Sequence, residues 1–566
     1  MKISGAKIVV ETLIEQGCDT IFGYPGGQVI DLFDELYTAR DRIKHILAAH
    51  EQGAAHAADG YARATGKVGV VIATSGPGAT NLVTGIATAY LDSVPLVAIT
   101  GNVSCDQIGR DSFQEVDIVG ITMPITKHNF IVKDINELAD TLRTAFKIAK
   151  SGRQGPVLVD IPKDVQTALC EYEPNTQPVI PYPLTLASEK LLQKAADMIN
   201  NCERPYIYFG GGVITGKASE QIKALADKID APLGCSLMGL SAIPHDHPKF
   251  LGMQGMHGHF ASSMSKNEAD LIIALGVRFS ERATGNLSSI KHTHDIIHID
   301  IDGAELNKNI SADLTIRSDI KDSLERLLFM VEEKKHPQWW ERIAQLRDEE
   351  ISRTASAIKL SKERESSRTE LSPYEIIDTI SSRADENTII ATDVGQHQMW
   401  TAQRYPFQKP RTLITSGGLG TMGFGLGAAI GAATASGKRV VLFTGDGSFG
   451  MNLGELATAV SQKLPIIIVV MNNNVLGMVR QWQTLFYDKR YSNTTLDRKT
   501  DFVKIAEAFG AEGGRAANLA ELEKLTDRAF SCNTPFVIDC MVDSDEIVLP
   551  MMPQGGSIND IITEIK

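Results

Sequence analysis

The feature that most constrains the fold is the segment 439–474, in which two apolar runs flank a glycine-rich turn. The run Arg439–Phe443 predicts one buried strand, and the run Ile466–Val470 predicts a second. Between them lie Gly-Asp-Gly at 445–447 and a stretch with helical periodicity. Continuous apolar strands joined through a helix are typical of a parallel sheet covered on both faces. The segment therefore predicts a strand–helix–strand unit of an α/β domain.

The intervening helix is predicted from a stripe of apolar residues. The stripe has the i, i+3, i+4, i+7 spacing of a helix that packs one face against a sheet. Its members are Leu453, Leu456, Ala457 and Val460. We expect this stripe to face the core.

Two polar residues, Asp446 and Asn473, follow the two predicted strands. Each alone is typical of a turn. The carboxyl ends of parallel strands meet at one sheet edge, where both side chains can bind one small hard cation. Glycine backbone and a helix start beside them suit a diphosphate. The unit therefore predicts magnesium and a diphosphate cofactor, and this combination indicates thiamine diphosphate.

The rest of the chain repeats the pattern of apolar strands alternating with helices. The stretches Tyr172–Thr185 and Arg347–Pro373 are typical of linkers, the second with partly helical character. They divide the 566 residues into domains at 1–170, 190–345 and 370–566. We predict an α/β protein with three doubly wound parallel-sheet domains. The first and third domains share at most a weak internal repeat.

Composition excludes several classes of function. The net charge is −13 without a basic tract, which argues against nucleic acid as a partner. The longest apolar stretch, Pro465–Met471, is far too short to span a membrane, and no signal peptide is apparent. The seven cysteines are scattered without a C-x-x-C pair, which predicts reduced, mostly buried thiols and a cytoplasmic protein.

Glu51 is the first candidate for catalysis. It lies among alanines and glycines in AAHEQGAAHAADG, a context that predicts the start of a closely packed helix. An acid in this position commonly interacts with the helix dipole. Beside a thiamine diphosphate site, however, a carboxylate has a second role, because it can hydrogen-bond N1′ of the aminopyrimidine and promote removal of the C2 proton.

Two further segments offer candidate cofactor contacts. The glycine-rich stretch at 416–429 predicts a closely packed helix start, and Met422 within it suits an apolar wedge against the cofactor. Gln396 and His397 follow a predicted strand end, where phosphate oxygens commonly bind. A single histidine in such a loop is also often structural.

Taken together, these motifs identify the chain as similar to a known family. It resembles thiamine-diphosphate-dependent 2-oxoacid enzymes, most closely the acetohydroxyacid synthase (acetolactate synthase) large-subunit family. The likeness covers essentially the whole length. The motifs that carry it are FGYPGG (22–27), HEQGAAHAADGYARATG (50–66), TSGPGATN (74–81), FQE (113–115), TKHNF (126–130), GRQGPV (152–157), SLMGL (236–240), MQGMHG (253–258), DVGQHQM (393–399), SGGLGTMGFG (416–425), GDGS (445–448), LGMVRQWQ (476–483) and LPMMPQGG (549–556).

The resemblance implies that the three domains bind the pyrimidine, FAD, and the diphosphate with magnesium, in chain order. The active site of this family lies between the first domain of one subunit and the third of another. We therefore expect a homodimer or homotetramer. A small regulatory subunit is a further expected partner.

The resemblance also assigns roles to individual residues. Phe113, Gln114 and Lys127 match active-site positions, whereas Arg282 and Trp482 match the pair that reads the second substrate. Asp446 and Asn473 match the magnesium ligands, together with the Val475 carbonyl. Cofactor contacts are expected from Glu51, Gln396, His397, Met422, Gly447 and Ser448, and flavin contacts from Arg153 and the stretches that include His257, Arg278, Asp300 and Asp319.

The implied reaction decarboxylates pyruvate and joins the two-carbon unit to a second pyruvate or to 2-oxobutanoate. An arginine fork suits a 2-oxoacid carboxylate, and an indole face suits the extra methyl group of 2-oxobutanoate. The closest alternative is the flavin-independent catabolic acetolactate synthase, which lacks the Gln-Trp pair. Glyoxylate carboligase lacks the glutamate at position 51. Intact Glu51, Asp446 and Asn473 argue against a catalytically silent scaffold.

Overall fold

The computed structural model describes residues 2–175, 181–285, 294–365, 370–553, 555–556 and 560–563. Within them, three six-stranded sheets consist of parallel strands, which confirms the predicted fold class. A small antiparallel pair, Lys2–Ser4 with Leu169–Glu171, closes the first domain. The predicted linker residues 176–180 and 366–369, and Gln554 of the closing motif, lie outside the described residues.

The first sheet has the strand order β3-β2-β4-β5-β7-β6. Its strands, with the antiparallel pair β1 and β8, are β1 (Lys2–Ser4), β2 (Thr20–Gly23), β3 (Lys44–Leu47), β4 (Gly69–Ala73), β5 (Leu96–Asn102), β6 (His128–Ile131), β7 (Pro156–Pro162) and β8 (Leu169–Glu171). Its helices are α1 (Gly5–Glu15), α2 (Ile30–Thr38), α3 (Glu51–Thr65), α4 (Pro77–Asn81), α5 (Val83–Leu91), α6 (Ile118–Thr122), α7 (Leu138–Lys150) and α8 (Lys163–Thr167).

The middle sheet has a different order, β11-β10-β9-β12-β13-β14. Its strands are β9 (Pro205–Phe209), β10 (Leu233–Cys235), β11 (Phe250–Met253), β12 (Leu271–Leu275), β13 (Asp295–Asp300) and β14 (Leu314–Arg317). The helices are α9 (Glu189–Asn201), α10 (Gly211–Thr215), α11 (Ser219–Lys228), α12 (Phe260–Glu268), α13 (Glu281–Thr284), α14 (Ile320–Met330) and α15 (Pro337–Glu365). Counted within the domain, this is the 3-2-1-4-5-6 order of dinucleotide-binding folds.

The third sheet has the order β16-β15-β17-β18-β20-β19. Its strands are β15 (Ile389–Thr392), β16 (Leu413–Ile414), β17 (Val440–Gly445), β18 (Ile466–Asn472), β19 (Glu512–Ala516) and β20 (Phe536–Met541). The helices are α16 (Pro373–Ser381), α17 (Gln396–Arg404), α18 (Phe424–Ser436), α19 (Asp446–Asn452), α20 (Leu456–Ser461), α21 (Gly477–Phe486), α22 (Phe502–Phe509) and α23 (Leu519–Ser531). Counted within each six-stranded sheet, the first and third sheets share the order 2-1-3-4-6-5.

One sequence-based expectation is confirmed and one needs correction. Much of the predicted linker 347–373 is helical, as its partly helical pattern indicated, because α15 continues to Glu365. The helix after Gly-Asp-Gly is not continuous, since a 3₁₀ turn at Leu453–Glu455 separates α19 from α20. The tighter turn rotates the second half about the axis. Ala457 is therefore exposed, whereas Leu456 and Ala459 are buried.

The first and third domains pack directly against each other through α3 and α18. Both helices are rich in alanine and glycine, which lets their backbones approach closely. A Cβ on Gly60 would overlap the Ala428 carbonyl, and one on Gly431 would overlap the Ala57 carbonyl. Most of both helices is buried in one shared apolar cluster. This contact joins the first and third domains of one chain, whereas the cofactor site is expected between domains of two subunits.

Among the described residues, no helix is both long and apolar enough to cross a membrane. All seven cysteines are free thiols, of which Cys18, Cys235 and Cys540 are buried. The other four are only partly buried, so the prediction that most of the thiols are buried is wrong.

Candidate active site

The third domain places its polar residues where the strand order of the sheet reverses. β15 and β17 are neighbours, and the chain leaves them in opposite directions along the sheet. Ligands of doubly wound sheets bind in the crevice at this switch point, outside the carboxyl ends of the strands. The segment Asp393–His397 follows β15, and Asp446 follows β17. The predicted diphosphate motif therefore lies at the switch point, the usual ligand position of such sheets.

Asp446 and Asn473 follow adjacent parallel strands at the same sheet edge. Gly445 pairs with Met471 at the end of the ladder, so the two polar residues lie just beyond it. Asn473 is fixed on both sides: its Nδ2 donates to Gln396 (3.2 Å), and its Oδ1 accepts from the Val475 N–H (3.2 Å). The oxygen of Asn473 and the carboxylate of Asp446 are suitable ligands for a hard cation.

The surroundings of Asp446 favour a bound cation. Burial raises the pKa of this carboxyl to about 6, and the nearby Asp539 carboxylate adds to the effect. Backbone N–H groups, including that of Gly447, oppose the shift. A buried carboxylate of this kind is stabilised by a divalent ion, which supplies the opposing charge. This site differs from a cluster of three or more His, Cys, Asp or Glu side chains. Among the described residues no such cluster could hold a metal.

The predicted diphosphate contacts surround this edge. Ser448 Oγ donates to the Val394 carbonyl (2.9 Å), and Gln396 begins α17. Burial lowers the pKa of His397 to about 3, so its ring is neutral at physiological pH. Its Nε2 is buried without a hydrogen-bond partner among the described residues. An unpartnered ring nitrogen beside a helix start can bind a phosphate oxygen.

Met422 lies beside this group, since a Cβ on Gly447 would come within 3.7 Å of its Cε. The loop that carries Met422 is fixed from both domains. The Thr421 hydroxyl is hydrogen-bonded to Thr88 of the first domain (2.8 Å), and the Gly423 N–H donates to Asp393 (2.8 Å). The flexible thioether is therefore held at the edge of the crevice by a rigid frame.

Glu51 is the first residue of α3, as predicted from its alanine-rich context. Its Oε2 accepts a hydrogen bond from Asn81 (2.9 Å), and Gly78 lies against its Oε1. These are residues of the first domain, whereas the hydrogen bonds of Asn473 are to residues of the third. The two halves of the predicted cofactor site are thus built on different domains.

The FQE motif lies at the switch point of the first sheet. A Cβ on Gly76, which follows β4, would overlap Gln114, so that glutamine packs directly on the glycine backbone. Gln114 adopts a left-handed backbone conformation, with φ of 60°. The neighbouring Phe113 is 83% exposed. An aromatic ring so exposed is available to a substrate or to a second subunit.

Within this chain, Lys127 lies away from Glu51. This lysine precedes β6, at the amino end of the sheet, whereas Glu51 follows β3 at the carboxyl end. Its Nζ donates to the carbonyls of Ile148 (2.5 Å) and Ser151 (2.6 Å). Burial lowers the pKa of Lys127 to about 8. The side chain therefore closes the C-terminus of α7 and does not reach the edge that carries Glu51.

Sequence reasoning missed Lys163, the lysine that does lie at that edge. It follows β7 directly, and its Nζ contacts the Gly27 carbonyl (3.3 Å) and pairs with Asp31. Gly27 itself belongs to the loop after β2, at the switch point. Its position after a buried strand that ends in Asp-Ile-Pro could have indicated it. A cation in this place can bind a carboxylate substrate.

Arg282 and Trp482, which are distant in sequence, are neighbours in the structure. The guanidinium carbon of Arg282 lies 5.7 Å from the centre of the indole ring, and its Nη1 contacts Met256 Sδ. Gln481, next to Trp482, is buried and joins two regions: it accepts from Gln396 and donates to the Val548 carbonyl (3.0 Å). The C-terminal segment thereby fixes the helix that carries the tryptophan.

The middle domain has its own crevice at its switch point, between β9 and β12. Gly210 follows β9 and Gly276 follows β12, on neighbouring strands. A Cβ on Gly210 would overlap the Gly276 carbonyl, and a Cβ on Gly276 would overlap Gly212 Cα. Buried polar atoms without partners among the described residues lie around this edge: Ser241 Oγ, Gln254 Nε2 and His257 Nε2. These atoms leave hydrogen-bonding capacity at the switch point, the place where doubly wound sheets bind their ligands.

The predicted flavin residues occupy different places around this crevice. Burial raises the pKa of Asp300, at the end of β13, to about 6. His257 Nδ1 lies 3.2 Å from the Pro550 carbonyl, and Arg278 Nη1 donates to the Leu91 carbonyl (2.6 Å). Asp319, in contrast, caps α14 by accepting from the Asp322 N–H. It therefore has a structural role within this chain.

Arg153 connects the first domain to the middle one. Its Nη1 pairs with Glu305 (2.5 Å) and Asp302 (3.4 Å), and its Nε donates to Ser93. Glu305 is buried in this contact. The arginine thus holds the first domain against the loop after β13 of the middle domain.

Comparison with protein families agrees with this architecture. Three family profiles match in chain order: the N-terminal TPP binding domain of thiamine pyrophosphate enzymes at residues 3–121, the central domain at 192–327, and the C-terminal TPP binding domain at 393–540. Thiamine pyrophosphate is another name for thiamine diphosphate. The profiles therefore support the cofactor that the turn at 445–447 predicted.

Full-length relatives narrow the family further. The chain is 45% identical to a probable acetolactate synthase large subunit of Methanocaldococcus jannaschii, covering 100% of this chain and 96% of that protein. It is 45% identical to the acetolactate synthase isozyme 1 large subunit of Escherichia coli (100% and 98%) and 42% identical to the isozyme 2 large subunit (100% of both). The chain therefore belongs to the thiamine-diphosphate-dependent acetolactate synthase large-subunit family.

Proposed function

We propose that this chain is the catalytic subunit of a biosynthetic acetolactate synthase. It decarboxylates pyruvate and transfers the two-carbon unit to a second pyruvate, or to 2-oxobutanoate. The products are 2-acetolactate and 2-aceto-2-hydroxybutanoate, precursors of valine, leucine and isoleucine. The observation that carries the substrate assignment is the contact between Arg282 and Trp482, which places a cation and an indole face together.

The reaction needs no external oxidant or reductant. Two pyruvate anions and one proton give one 2-acetolactate anion and one carbon dioxide. The bond from the carboxylate carbon to the carbonyl carbon of the donor breaks, and a carbon–carbon bond to the acceptor carbonyl forms. When bound, thiamine diphosphate supplies a carbanion for attack on the donor and an electron sink for decarboxylation.

The residues of this chain bind and orient that cofactor. Asp446, Asn473 and the Val475 carbonyl would hold magnesium. Gln396, His397, Gly447 and Ser448 would hold the diphosphate, and Met422 would press the cofactor into a bent form. Glu51 would hold a proton at the aminopyrimidine. Support comes from the shared edge of Asp446 and Asn473 and the unpartnered nitrogen of His397.

Substrate binding is assigned to the edge of the first sheet and to the Arg282–Trp482 pair. Lys163 supplies a positive charge for a 2-oxoacid carboxylate, in place of the more distant Lys127. Gln114 and Phe113 line the adjacent loop. Arg282 binds the acceptor carboxylate, and Trp482 contacts its alkyl group. One methylene in such a pocket is worth about 1–3 kcal/mol of discrimination.

The middle domain is proposed to bind FAD. The strand order 3-2-1-4-5-6, the glycines at the switch point and the unpartnered polar atoms support a dinucleotide ligand. Arg153, His257, Arg278 and Asp300 lie around this crevice, whereas Asp319 is a helix cap. Because the carboligation has no net redox change, the flavin would have a structural role.

We also propose that the chain forms a homodimer or a homotetramer. Within this chain Glu51 and Asp446 contact residues of their own domains, and in the proposed dimer the Glu51 half of one subunit meets the Asp446 half of the other. The relatives are named large subunits, which supports a small regulatory subunit as a further partner. We also propose a cytoplasmic location, consistent with the free thiols.

A competition assay with pyruvate and 2-oxobutanoate together tests the substrate assignment. We expect the wild type to prefer 2-oxobutanoate as the acceptor and Trp482→Leu to lose about 10-fold or more of this preference. The matched control is Phe486→Leu, which changes the aromatic neighbour of Trp482 one helical turn away. Absence of any preference in the wild type would favour the flavin-independent catabolic enzyme instead. Repeating the assay without FAD tests the flavin requirement.

A further inference from the structure

The start of α3 is held by a residue of the third domain. The backbone N–H groups of Ala49 and His50 immediately precede this helix, and both donate to the carboxylate of Glu455, at 3.2 Å and 2.9 Å. Glu51 is the next residue along the chain and the first of α3. The contact thus joins residues that are about 400 positions apart in the sequence.

Glu455 is itself rigidly placed. Its side chain is only 2% exposed, and its Oε2 also accepts from the Thr458 hydroxyl (2.7 Å). On the other side it lies against Gly53 of α3, where a Cβ would overlap the carboxylate. The carboxylate therefore fills the space between the 3₁₀ turn Leu453–Glu455 and the first turn of α3.

The chemistry of this contact favours a fixed helix start. A carboxylate that accepts two backbone N–H groups makes charge-assisted hydrogen bonds, which are stronger than neutral ones. It also lies at the positive end of the α3 dipole. The His50 side chain caps the helix separately, by accepting from the Gln52 N–H (3.1 Å). Glu455 is thus the contribution of the third domain to a helix start that the first domain caps only in part.

We propose that Glu455 is a positioning residue for Glu51, acting through the first turn of α3. It sets where the Glu51 carboxylate meets the aminopyrimidine and does not itself touch cofactor or substrate. The inference rests on the proposed function, because that function assigns Glu51 its role. A displacement of a catalytic group by about 1 Å can cost up to about 100-fold in rate.

Glu455 and Asp446 belong to one short stretch of the chain. The segment that begins with Asp446 ends at Glu455, through α19 and the 3₁₀ turn. One continuous stretch therefore carries a metal ligand at one end and the support of Glu51 at the other. If active sites form between subunits, each such stretch contacts two of them.

The variant Glu455→Gln tests the proposal, because it keeps the shape but replaces one acceptor oxygen with an NH₂ donor. We expect faster amide hydrogen exchange at Ala49 and His50, measured on the protein without cofactor. With thiamine diphosphate and magnesium bound, we expect exchange of the cofactor C2 proton to slow by about 10-fold to 100-fold. Cofactor affinity should stay within about twofold, since the diphosphate residues are unchanged.

The variant Gly53→Ala perturbs the same contact from the first domain. Its methyl group would displace the Glu455 carboxylate, so it should reproduce both exchange effects. Gly454→Ala is the matched control, since its Cβ would meet only the Ala49 methyl group at 3.9 Å. It should behave as the wild type does in all three measurements.

The outcomes separate this inference from the proposed function. Unchanged amide exchange and unchanged C2 exchange in Glu455→Gln would overturn the positioning role, even if the wild type is an active synthase. Equal losses of C2 exchange and cofactor affinity would also overturn it, because they indicate general damage. If instead the wild type neither binds thiamine diphosphate nor exchanges its C2 proton, the proposed function itself fails.

Discussion

The first and third domains have the same strand order, 2-1-3-4-6-5, but carry different chemistry at the same place in the fold. In the first, the loops after the central strands present Gly26, Gly76 and Gln114 around a helix that starts with Glu51. In the third, the equivalent loops present Gln396, His397 and Asp446. The shared topology fixes where the loops lie, and the residues in them decide what they bind.

The middle domain differs from the other two in its strand order and therefore in the position of its crevice. Its order, 3-2-1-4-5-6, moves the switch point to β9 and β12 and places glycines on both sides of it. The first and third domains therefore resemble each other more than either resembles the domain between them. A pair of related domains can bind the two ends of one cofactor, whereas the middle domain offers a separate crevice.

The largest effect is expected from removing the acid of the first domain. Glu51→Gln keeps the shape and the contact with Asn81 but cannot hold a proton at the cofactor. Activity should fall about 10²- to 10⁴-fold, the usual contribution of a general acid or base. Magnesium affinity, measured by calorimetry with thiamine diphosphate present, should be nearly unchanged. Full activity in this variant would contradict the role assigned to Glu51.

The third domain should show the opposite pattern. Asp446→Asn removes the charge of a proposed metal ligand, so magnesium affinity should fall by about 10-fold to 100-fold. Titration of magnesium in the assay should restore much of the activity, which it should not do for Glu51→Gln. The matched control is Asp488→Asn, which makes the same chemical change at a highly exposed residue that pairs with Arg490. Equal magnesium affinity in both variants would remove Asp446 from the proposed metal site.

A smaller effect distinguishes the two ends of the first sheet. Lys163→Met removes a cation from the carboxyl edge, and we expect the KM for pyruvate to rise by about 10-fold, the value of a charged hydrogen bond. Lys127→Met is the matched control at the amino edge and should leave KM within about twofold. A rise in KM for Lys127→Met alone would reverse the assignment made from the structure.

The smallest effect on activity is expected at the contact between α3 of the first domain and α18 of the third. Gly431→Ala would press a methyl group into the Ala57 carbonyl, and overpacking of this kind costs about 1–3 kcal/mol of stability. The thermal midpoint should fall. Gly450→Ala, in α19, should leave the midpoint unchanged or slightly higher, because its Cβ would meet only Arg498 Nη1, at 3.9 Å. Equal thermal midpoints for both variants would show that the close packing of α18 on α3 does not contribute to stability.

Much of the fold follows from local patterns in the sequence. The apolar runs at 439–443 and 466–470 form adjacent parallel strands, as their composition predicts, and Asp446 and Asn473 lie at one edge. The pattern fails where a small local change matters: the 3₁₀ turn at Leu453–Glu455 turns Ala457 outwards. Helical periodicity assumes an unbroken helix, and nothing in the apolar stripe marks the break.

Long-range placement is harder to predict than local structure. A sequence motif does not tell whether a lysine precedes or follows its strand, so the motif at 126–130 points to Lys127 although Lys163 occupies the carboxyl edge. Glu455 gives no signal in the sequence, because its partners, Ala49 and His50, lie in another domain and contribute only backbone atoms. These hydrogen bonds leave no mark on the residue types at positions 49 and 50, although the close approach of Glu455 requires a glycine at position 53.

The contact between Glu455 and the start of α3 limits how modular the protein can be. A fragment that ends near residue 170 would keep the sheet of the first domain but lose the carboxylate that accepts from Ala49 and His50. It would also expose the face of α3 that α18 covers. The first domain is therefore not a portable unit: transplanted alone, it would carry Glu51 on a frayed helix end.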